Sequence, residues 1–252
     1  MDMKYIYAVI GVVIVVAVVI SIFFVPKIIK PTGPSFNEFL IKTNGSTYTA
    51  NYTYYIYYNM AGRINTESYL ILYSQENLTD RYIVVRNIAQ PQMSLYIVMT
   101  KLSNGTLMQC IAEPLSSGCS PTNQTFNLIS LILPVINASS FNYVGMQKLL
   151  NQNTYCYMYR NTTALGYVIP SMAQYGLGSL PVNFTEEACI TKSGVPLMIK
   201  LSAYTTLSVS GLSAPFNITQ TLIATSIENG VYLSNNATLL LKYLGVNATS
   251  SG

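Results

Sequence analysis

The segment "NGSTYTANYTYYIYYNM", residues 44–60, decides the fold class. Large side chains occur at every second position from Tyr52 to Met60, and Asn51 and Thr53 lie on the opposite side, which is the pattern of a strand with one buried face. The buried face would carry Tyr52, Tyr54, Ile56, Tyr58 and Met60, and the wet face would carry Asn51 and Thr53. Tyrosine suits such a half-buried face because its ring packs while its hydroxyl finds a polar partner.

Similar runs recur along the chain between turn signals such as "SNGT" and "KSGVP". With 21 Tyr and 8 Phe the composition also favours strands. Strands are predicted over residues 47–60, 66–75, 80–88, 93–101, 106–112, 153–160, 186–192, 196–208 and 216–228. We therefore expect a mainly β (α+β) fold, a curved antiparallel sheet or half-barrel with helices on one face.

Three segments between or after these strands favour helices. Residues 124–137 are apolar nearly all round but too short to cross a membrane, so we expect a helix against the concave side of the sheet. Residues 163–178 predict a second helix broken at Pro170. Residues 237–245, "ATLLLKYLG", predict a terminal amphipathic helix.

The N-terminal part is expected to anchor the chain in a membrane. Residues 5–25 carry no charge over a length that spans a bilayer, and no small-residue cleavage site follows them. A pilin-like leader and a buried core helix are the alternatives. The expected organisation is a flank (1–4), a signal anchor (5–25), a juxtamembrane linker (26–43), an extracytoplasmic β-rich domain (44–230), and a C-terminal helix and tail (231–252).

The orientation of the anchor follows from N-glycosylation motifs and cysteines. Lys27 and Lys30 outnumber Lys4 across the anchor and alone would keep the domain in the cytoplasm. Against this, about four N-x-[ST] motifs are expected by chance at this composition, whereas the chain has eleven. These acceptors are Asn44, Asn51, Asn77, Asn104, Asn123, Asn137, Asn161, Asn183, Asn217, Asn236 and Asn247. We expect a single-pass cell-membrane protein with its C-terminal domain outside and N-linked glycans.

Four cysteines, an even number, also fit an oxidising compartment. Cys110 and Cys119 bracket a loop with Pro and Gly, and Cys156 and Cys189 lie on what look like adjacent strands. The favoured disulfides are Cys110–Cys119 and Cys156–Cys189, one of three possible pairings. Their spacing fits neither a metal knuckle nor a redox C-x-x-C motif.

The absence of histidine from the sequence argues against catalysis and cofactors. It removes Ser–His and Cys–His nucleophilic pairs and His-ligated metals. Glu186 and Glu187 are adjacent on a predicted strand, so they should point to opposite faces and form no dyad. Asp80, Arg81 and Arg86 are expected to form a solvated strand edge rather than an anion site. No basic stripe for nucleic acid is present.

The combination of anchor, Thr-type acceptors, few charges and Tyr-rich strands resembles surface proteins of thermoacidophilic archaea. The order of strands and inserts, ending in "NTYCYMYRN" and "EEACITKSGVPLMIKLSAY", resembles the half-barrel of LolA/LppX-type lipoprotein carriers. That second resemblance implies strands curled around helices and an apolar cavity.

Two noncatalytic functions are compatible with these features. The first is binding of a hydrophobic or lipid-like ligand between sheet and helices. The second is a structural or accessory role in a cell-envelope or surface complex, with a protein partner. The third hypothesis, an enzyme, rests only on the few carboxylates and hydroxyls.

Overall fold

The computed structural model describes residues 33–228 apart from residues 124, 126, 134–137 and 210–211. One antiparallel sheet of 11 strands dominates this part of the chain. The strands are β1 (Tyr48–Met60), β2 (Arg63–Gln75), β3 (Arg81–Asn87), β4 (Ser94–Lys101), β5 (Leu107–Ala112), β6 (Ser117–Pro121), β7 (Asn142–Leu149), β8 (Gln152–Ala164), β9 (Pro181–Thr191), β10 (Pro196–Val209) and β11 (Leu212–Glu228). The helices are α1 (Phe36–Gly45), α2 (Leu128–Ile132) and α3 (Leu165–Val168), with 3-10 turns at Ala138–Ser140 and Pro170–Tyr175.

The sheet consists of two meanders joined in its middle. Its strand order is β6-β5-β4-β3-β2-β1-β11-β10-β9-β8-β7, so β1 pairs with β11 at the centre while β6 and β7 form the two edges. The connection between β6 and β7 therefore links opposite edges of the sheet. This connection contains α2, and that topology is why a helix lies across one face of the strands.

The two faces of the sheet carry separate clusters of buried side chains. The larger cluster includes residues of all three α-helices, and we call the face that they cover the inner face. Of the predicted inner residues of β1, Tyr52 belongs to it and Tyr54, Ile56 and Tyr58 pack against it, whereas Met60 at the end of the strand is exposed. Tyr48 also belongs to it. A smaller cluster lies on the outer face of β3–β6 and is made by Tyr82, Val84, Val98 and Cys110.

The mainly β class and the antiparallel curved sheet are confirmed, and each of the nine predicted strands overlaps an observed one. β6 and β7 were not predicted. The sequence of β6, "SGCSP", has the composition of a turn. In β7, a register shift between Tyr143 and Gly145, where Gly145 has φ +136°, interrupts the period-two pattern.

The helices predicted over 124–137 and 163–178 are found at those positions, but the described helices are shorter than predicted. Of the helix expected over 124–137, the structure describes Leu128–Ile132 as α2. The helix expected over 163–178 is divided at Pro170 into α3 and a 3-10 turn. Residues 36–43, which the sequence assigned to the linker, belong to α1, whose Phe36 and Phe39 are buried in the inner cluster.

Some predicted segments lie outside the described residues. They are the anchor at 5–25, the C-terminal segment 231–252, and the acceptors Asn137, Asn236 and Asn247. Within residues 33–228, as far as they are described, no helix has the length and apolar character needed to cross a bilayer.

Candidate functional site

An apolar groove separates α2 from the inner face of the first meander. Its volume is about 360 Å³, within the range of about 300–1,000 Å³ that small-molecule sites occupy. Every lining side chain is aliphatic or a tyrosine. From the sheet these are Tyr54, Ile56, Tyr69, Ile71, Ile83, Val85, Leu95 and Ile97, and from α2 they are Leu128, Leu131 and Ile132.

The register of the strands explains why these side chains face one groove. Ile83 is paired with Tyr73 on one side and with Ile97 on the other, and Val85 is paired in the same way with Ile71 and Leu95. Residues in register point to the same face of a sheet, so β2, β3 and β4 present one continuous apolar surface. The five-residue α2 does not cover it fully: Val85, Leu95 and Ile97 stay partly exposed, and Leu131 is 49% exposed.

Hydrogen bonds at its first turn fix α2 over the sheet. The Asn127 side chain accepts from the Ser130 backbone N–H at 2.7 Å, and the Ser130 hydroxyl accepts from the Asn127 N–H at 3.1 Å, which forms a capping box. The Asn127 amide also donates to the Asn44 side-chain oxygen at 3.0 Å. The start of α2 is thus tied to the end of α1.

A cluster of buried polar side chains lies beside one end of the groove. Tyr48, Gln75 and Arg81 are in register on β1, β2 and β3, and all three are completely or almost completely buried. Gln75 donates to the carbonyl oxygens of Thr43 and Ser46 at 2.6 and 2.9 Å, and its own carbonyl accepts from the Tyr73 hydroxyl at 2.6 Å. We call Tyr48, Tyr73, Gln75 and Arg81 the polar end of the groove.

Burial controls the protonation of these groups. It raises the pKa of Tyr48 and Tyr73 above the usual value for tyrosine, and it lowers the pKa of the Arg81 guanidinium. Neighbouring tyrosines oppose the shift at Arg81, because the guanidinium lies close enough to Tyr73 and Tyr48 to interact with them electrostatically. Both tyrosines are therefore neutral hydroxyl donors at neutral pH.

The expected solvated edge at Asp80, Arg81 and Arg86 is wrong for Arg81. Arg86 is exposed, but Arg81 has 0% exposure. Strand alternation is the reason, since Arg81 shares the inner face with Ile83 and Val85. The carboxylate of Asp80 instead accepts hydrogen bonds from Asn77 at 2.6 Å and Thr100 at 2.7 Å. The signal for its burial is the uninterrupted apolar run "YIVV" that follows Arg81, which is typical of a strand covered on both faces.

Both favoured disulfides are present in the structure. Cys110 pairs with Cys119 across β5 and β6, and Cys156 pairs with Cys189 across β8 and β9. Each pair joins residues directly opposite each other in register. Both disulfides lie on the face opposite the groove, one in each half of the sheet, and neither lines the groove.

The eight described acceptor asparagines are spread over the sheet and α1, and none of them is buried. Asn51, Asn104, Asn123, Asn161 and Asn183 are exposed, and Asn44, Asn77 and Asn217 are partly exposed. None lines the apolar groove. Asn51 borders a second groove of about 370 Å³ beside Leu70 and Arg86.

The carboxylates and cysteines of the described part of the chain form no metal-binding cluster. No group of three or more His, Cys, Asp or Glu side chains occurs there that could hold a metal ion. Glu186 is completely buried while its neighbour Glu187 is partly exposed, so the two point to opposite faces as expected.

Neither a family model nor a curated protein matches this sequence. Among solved structures the chain is similar to a putative outer membrane lipoprotein-sorting protein domain from Vibrio parahaemolyticus (TM-score 0.33, 9% identity, 82% of this chain and 97% of that one). It is also similar to a LolA superfamily protein from Nitrosomonas europaea (0.29, 12%, 81% and 97%) and to the Mycobacterium tuberculosis lipoprotein LppX (0.29, 11%, 79% and 95%). These values are too low to transfer a ligand from those proteins to this chain.

Proposed function

We propose that this domain binds a hydrophobic, lipid-like ligand in the groove between α2 and the inner face of β1–β4. The observation that supports this most directly is the groove itself, whose eleven lining side chains include none that is charged. An apolar ligand that covers such a surface removes it from water, which favours binding by about 25 cal/mol for each Å² covered. The function is noncatalytic binding.

The test is binding of a neutral amphiphile, dodecanol, to the full-length chain held in an amphipathic polymer. Leu131 is half exposed on α2 and faces the groove, so Leu131→Glu should introduce a charge there without disturbing the core. We expect binding to weaken at least tenfold. Leu115→Glu is the matched control, because Leu115 is fully exposed in the β5–β6 turn, away from the groove.

Native mass spectrometry and displacement of a neutral fluorescent probe measure the two affinities. A chain that binds no dodecanol, or that binds it equally well in both variants, contradicts the proposal. The remaining function would then be a structural or accessory role with a protein partner.

We propose further that residues 5–25 anchor this domain on the extracytoplasmic side of a membrane and that it carries N-linked glycans. Two disulfides and the exposure of the described acceptors support this. Glycopeptide mapping of the chain from its native membrane tests it. Modified Asn51, Asn104 and Asn161 are expected, and an unmodified chain would contradict the proposed location.

A further inference from the structure

The Arg81 guanidinium is a buried charge that lacks a hydrogen-bond partner. Its Nε and both terminal nitrogens are inaccessible to solvent, and none of them donates a hydrogen bond to any residue that the structure describes. An unpaired buried charge is costly, so buried arginines in proteins are normally paired with an anion. Arg81 therefore indicates a negatively charged partner that the described residues do not supply.

The other groups of the polar end cannot serve as that partner. The Tyr48 hydroxyl is buried and lies close enough to the hydroxyls of Tyr52 and Tyr73 to interact with them. The oxygen of Gln75 already accepts from Tyr73, and its nitrogen donates to the end of α1. The polar end thus combines five unused guanidinium N–H donors with no anionic acceptor.

The polar end is adjacent to the apolar groove on the same face of the sheet. Arg81 precedes Ile83 of the lining by two residues on β3, which places their backbones about 6.6 Å apart. Tyr73 of the polar end is paired with Ile83, and its hydroxyl lies at the backbone of Leu128, which also lines the groove. A ligand in the groove would therefore reach the guanidinium by extending past one more inward-facing position of the strands.

We propose that the groove binds an amphiphile with an anionic head group, a carboxylate or a phosphate, and that Arg81 and Tyr48 bind this head group. The inference rests on the proposed function, to which it adds the charge of the ligand. A planar guanidinium donates two parallel hydrogen bonds to a carboxylate or phosphate, and the Tyr48 hydroxyl would supply a third. The alkyl chain would extend along Ile83 and Val85 beneath α2.

The experiment compares ligands that share one alkyl chain and differ in head group. Dodecanoate, dodecyl phosphate and dodecanol are titrated against the full-length chain in an amphipathic polymer, with displacement of a neutral fluorescent probe as the readout. Acetate and inorganic phosphate test whether the anion binds without the alkyl chain. We expect the two anionic amphiphiles to bind about 10- to 100-fold more tightly than the alcohol.

Two substitutions assign this preference to the polar end. Arg81→Met should abolish the preference and leave dodecanol binding unchanged, and Tyr48→Phe should reduce it by about 3- to 10-fold. Arg86→Met and Tyr157→Phe are the matched controls: Arg86 is exposed on the same strand, and the buried Tyr157 on β8 donates its hydroxyl to Pro34 O at 2.8 Å. Both controls should retain the preference.

Thermal unfolding distinguishes head-group binding from a structural role. Because the Arg81 guanidinium makes no hydrogen bond to the described residues, Arg81→Met should melt at the same or a higher temperature without ligand and lose the stabilisation by dodecanoate. If Arg81→Met does not fold, Arg81 is structural and the inference is overturned. Equal binding of dodecanoate and dodecanol overturns the inference about the head group but leaves the proposed binding in the groove intact. Tight binding of acetate or phosphate without an alkyl chain overturns it too, because the anion site would then be separate from the groove. Binding of no amphiphile refutes both proposals.

Discussion

At the residue scale, Gly194 marks the point where the β9–β10 turn touches α1. It has φ +95°, and a Cβ added there would lie 2.7 Å from the Lys42 carbonyl carbon and 2.8 Å from the Thr43 nitrogen. Any other residue would combine an unfavourable backbone conformation with a clash against the last turn of the helix. Glycine is therefore required for α1 to dock at this place.

Gly194→Ala should lower the free energy of unfolding by about 2 to 4 kcal/mol, since backbone strain and steric overlap add. Gly62 is the matched control: it has φ +82° in the β1–β2 turn, but an added Cβ meets nothing within 4 Å. Gly62→Ala should lower the free energy of unfolding by only about 1 kcal/mol, the cost of placing alanine at a positive φ. Denaturant unfolding monitored by circular dichroism measures both, and equal costs would show that the contact with α1 is unimportant.

Single residues differ in how far their sequence predicts their place. The alternation in residues 44–60 identifies Tyr52 and Tyr54 as inner-face residues, because a strand fixes the side of every second residue. Arg81 begins a run in which Tyr82, Ile83, Val84 and Val85 are all apolar or aromatic, so no alternation marks its face, and its charge suggested an exposed edge. The strand is buried on both faces, and this burial rather than the charge decides the place of Arg81.

At the element scale, Gln75 connects the sheet to α1. Its amide nitrogen lies within 3.0 Å of the carbonyl oxygens of Thr43, Asn44 and Ser46, which a helix C-terminus leaves without intrahelical partners. The side chain is completely buried. It replaces the solvent that would otherwise bind these carbonyls.

Gln75→Met should therefore cost about 2 to 4 kcal/mol of stability, because several buried polar groups lose their partner without a change in side-chain volume. Gln147→Met on β7 is the control, since Gln147 is exposed and should tolerate methionine within about 0.5 kcal/mol. Hydrogen exchange adds a local readout: amides of α1 should exchange faster in Gln75→Met. Unchanged protection of α1 would show that the helix is held by Phe36 and Phe39 instead.

Elements were predictable where a local pattern sufficed. The nine predicted strands have such a local pattern, and the two missed strands do not. The position of β6 follows from the pairing of Cys119 with Cys110, and the pattern of β7 is interrupted by the irregularity at Gly145. The groove depends on the strand order and on the length of α2. Neither property is encoded in a window of neighbouring residues, so only an apolar face could be predicted.

At the scale of the whole molecule, buried tyrosines make the fold sensitive to alkali. Burial raises the pKa of Tyr48, Tyr52 and Tyr73 above 10.0 in the folded chain. Above about pH 10 the unfolded chain releases these protons and the folded chain retains them. Their contribution to stability is complete below pH 10 and is lost as the pH rises further.

The free energy of unfolding should fall by about 1.4 kcal/mol per pH unit for each such tyrosine above pH 10, and Tyr52→Phe should reduce the slope by that amount. Tyrosinate absorbance is a direct readout, because the chain has no Trp. A fraction of the 21 tyrosines should ionise only as circular dichroism reports unfolding. Ionisation of all of them in a chain that stays folded would contradict this assignment.

The pairing of β1 with β11 has a consequence for how the chain folds during synthesis. Thr49 is paired with Glu228, so one edge of β1 stays uncovered until β11, the last described strand, has been synthesised. Strands β1–β6 can form their meander from local contacts, but one edge of β1 then displays unpaired backbone groups beside a row of tyrosines. β11 begins more than 150 residues after the end of β1, and until it has emerged this edge is the place where a nascent chain is most exposed to intermolecular strand pairing.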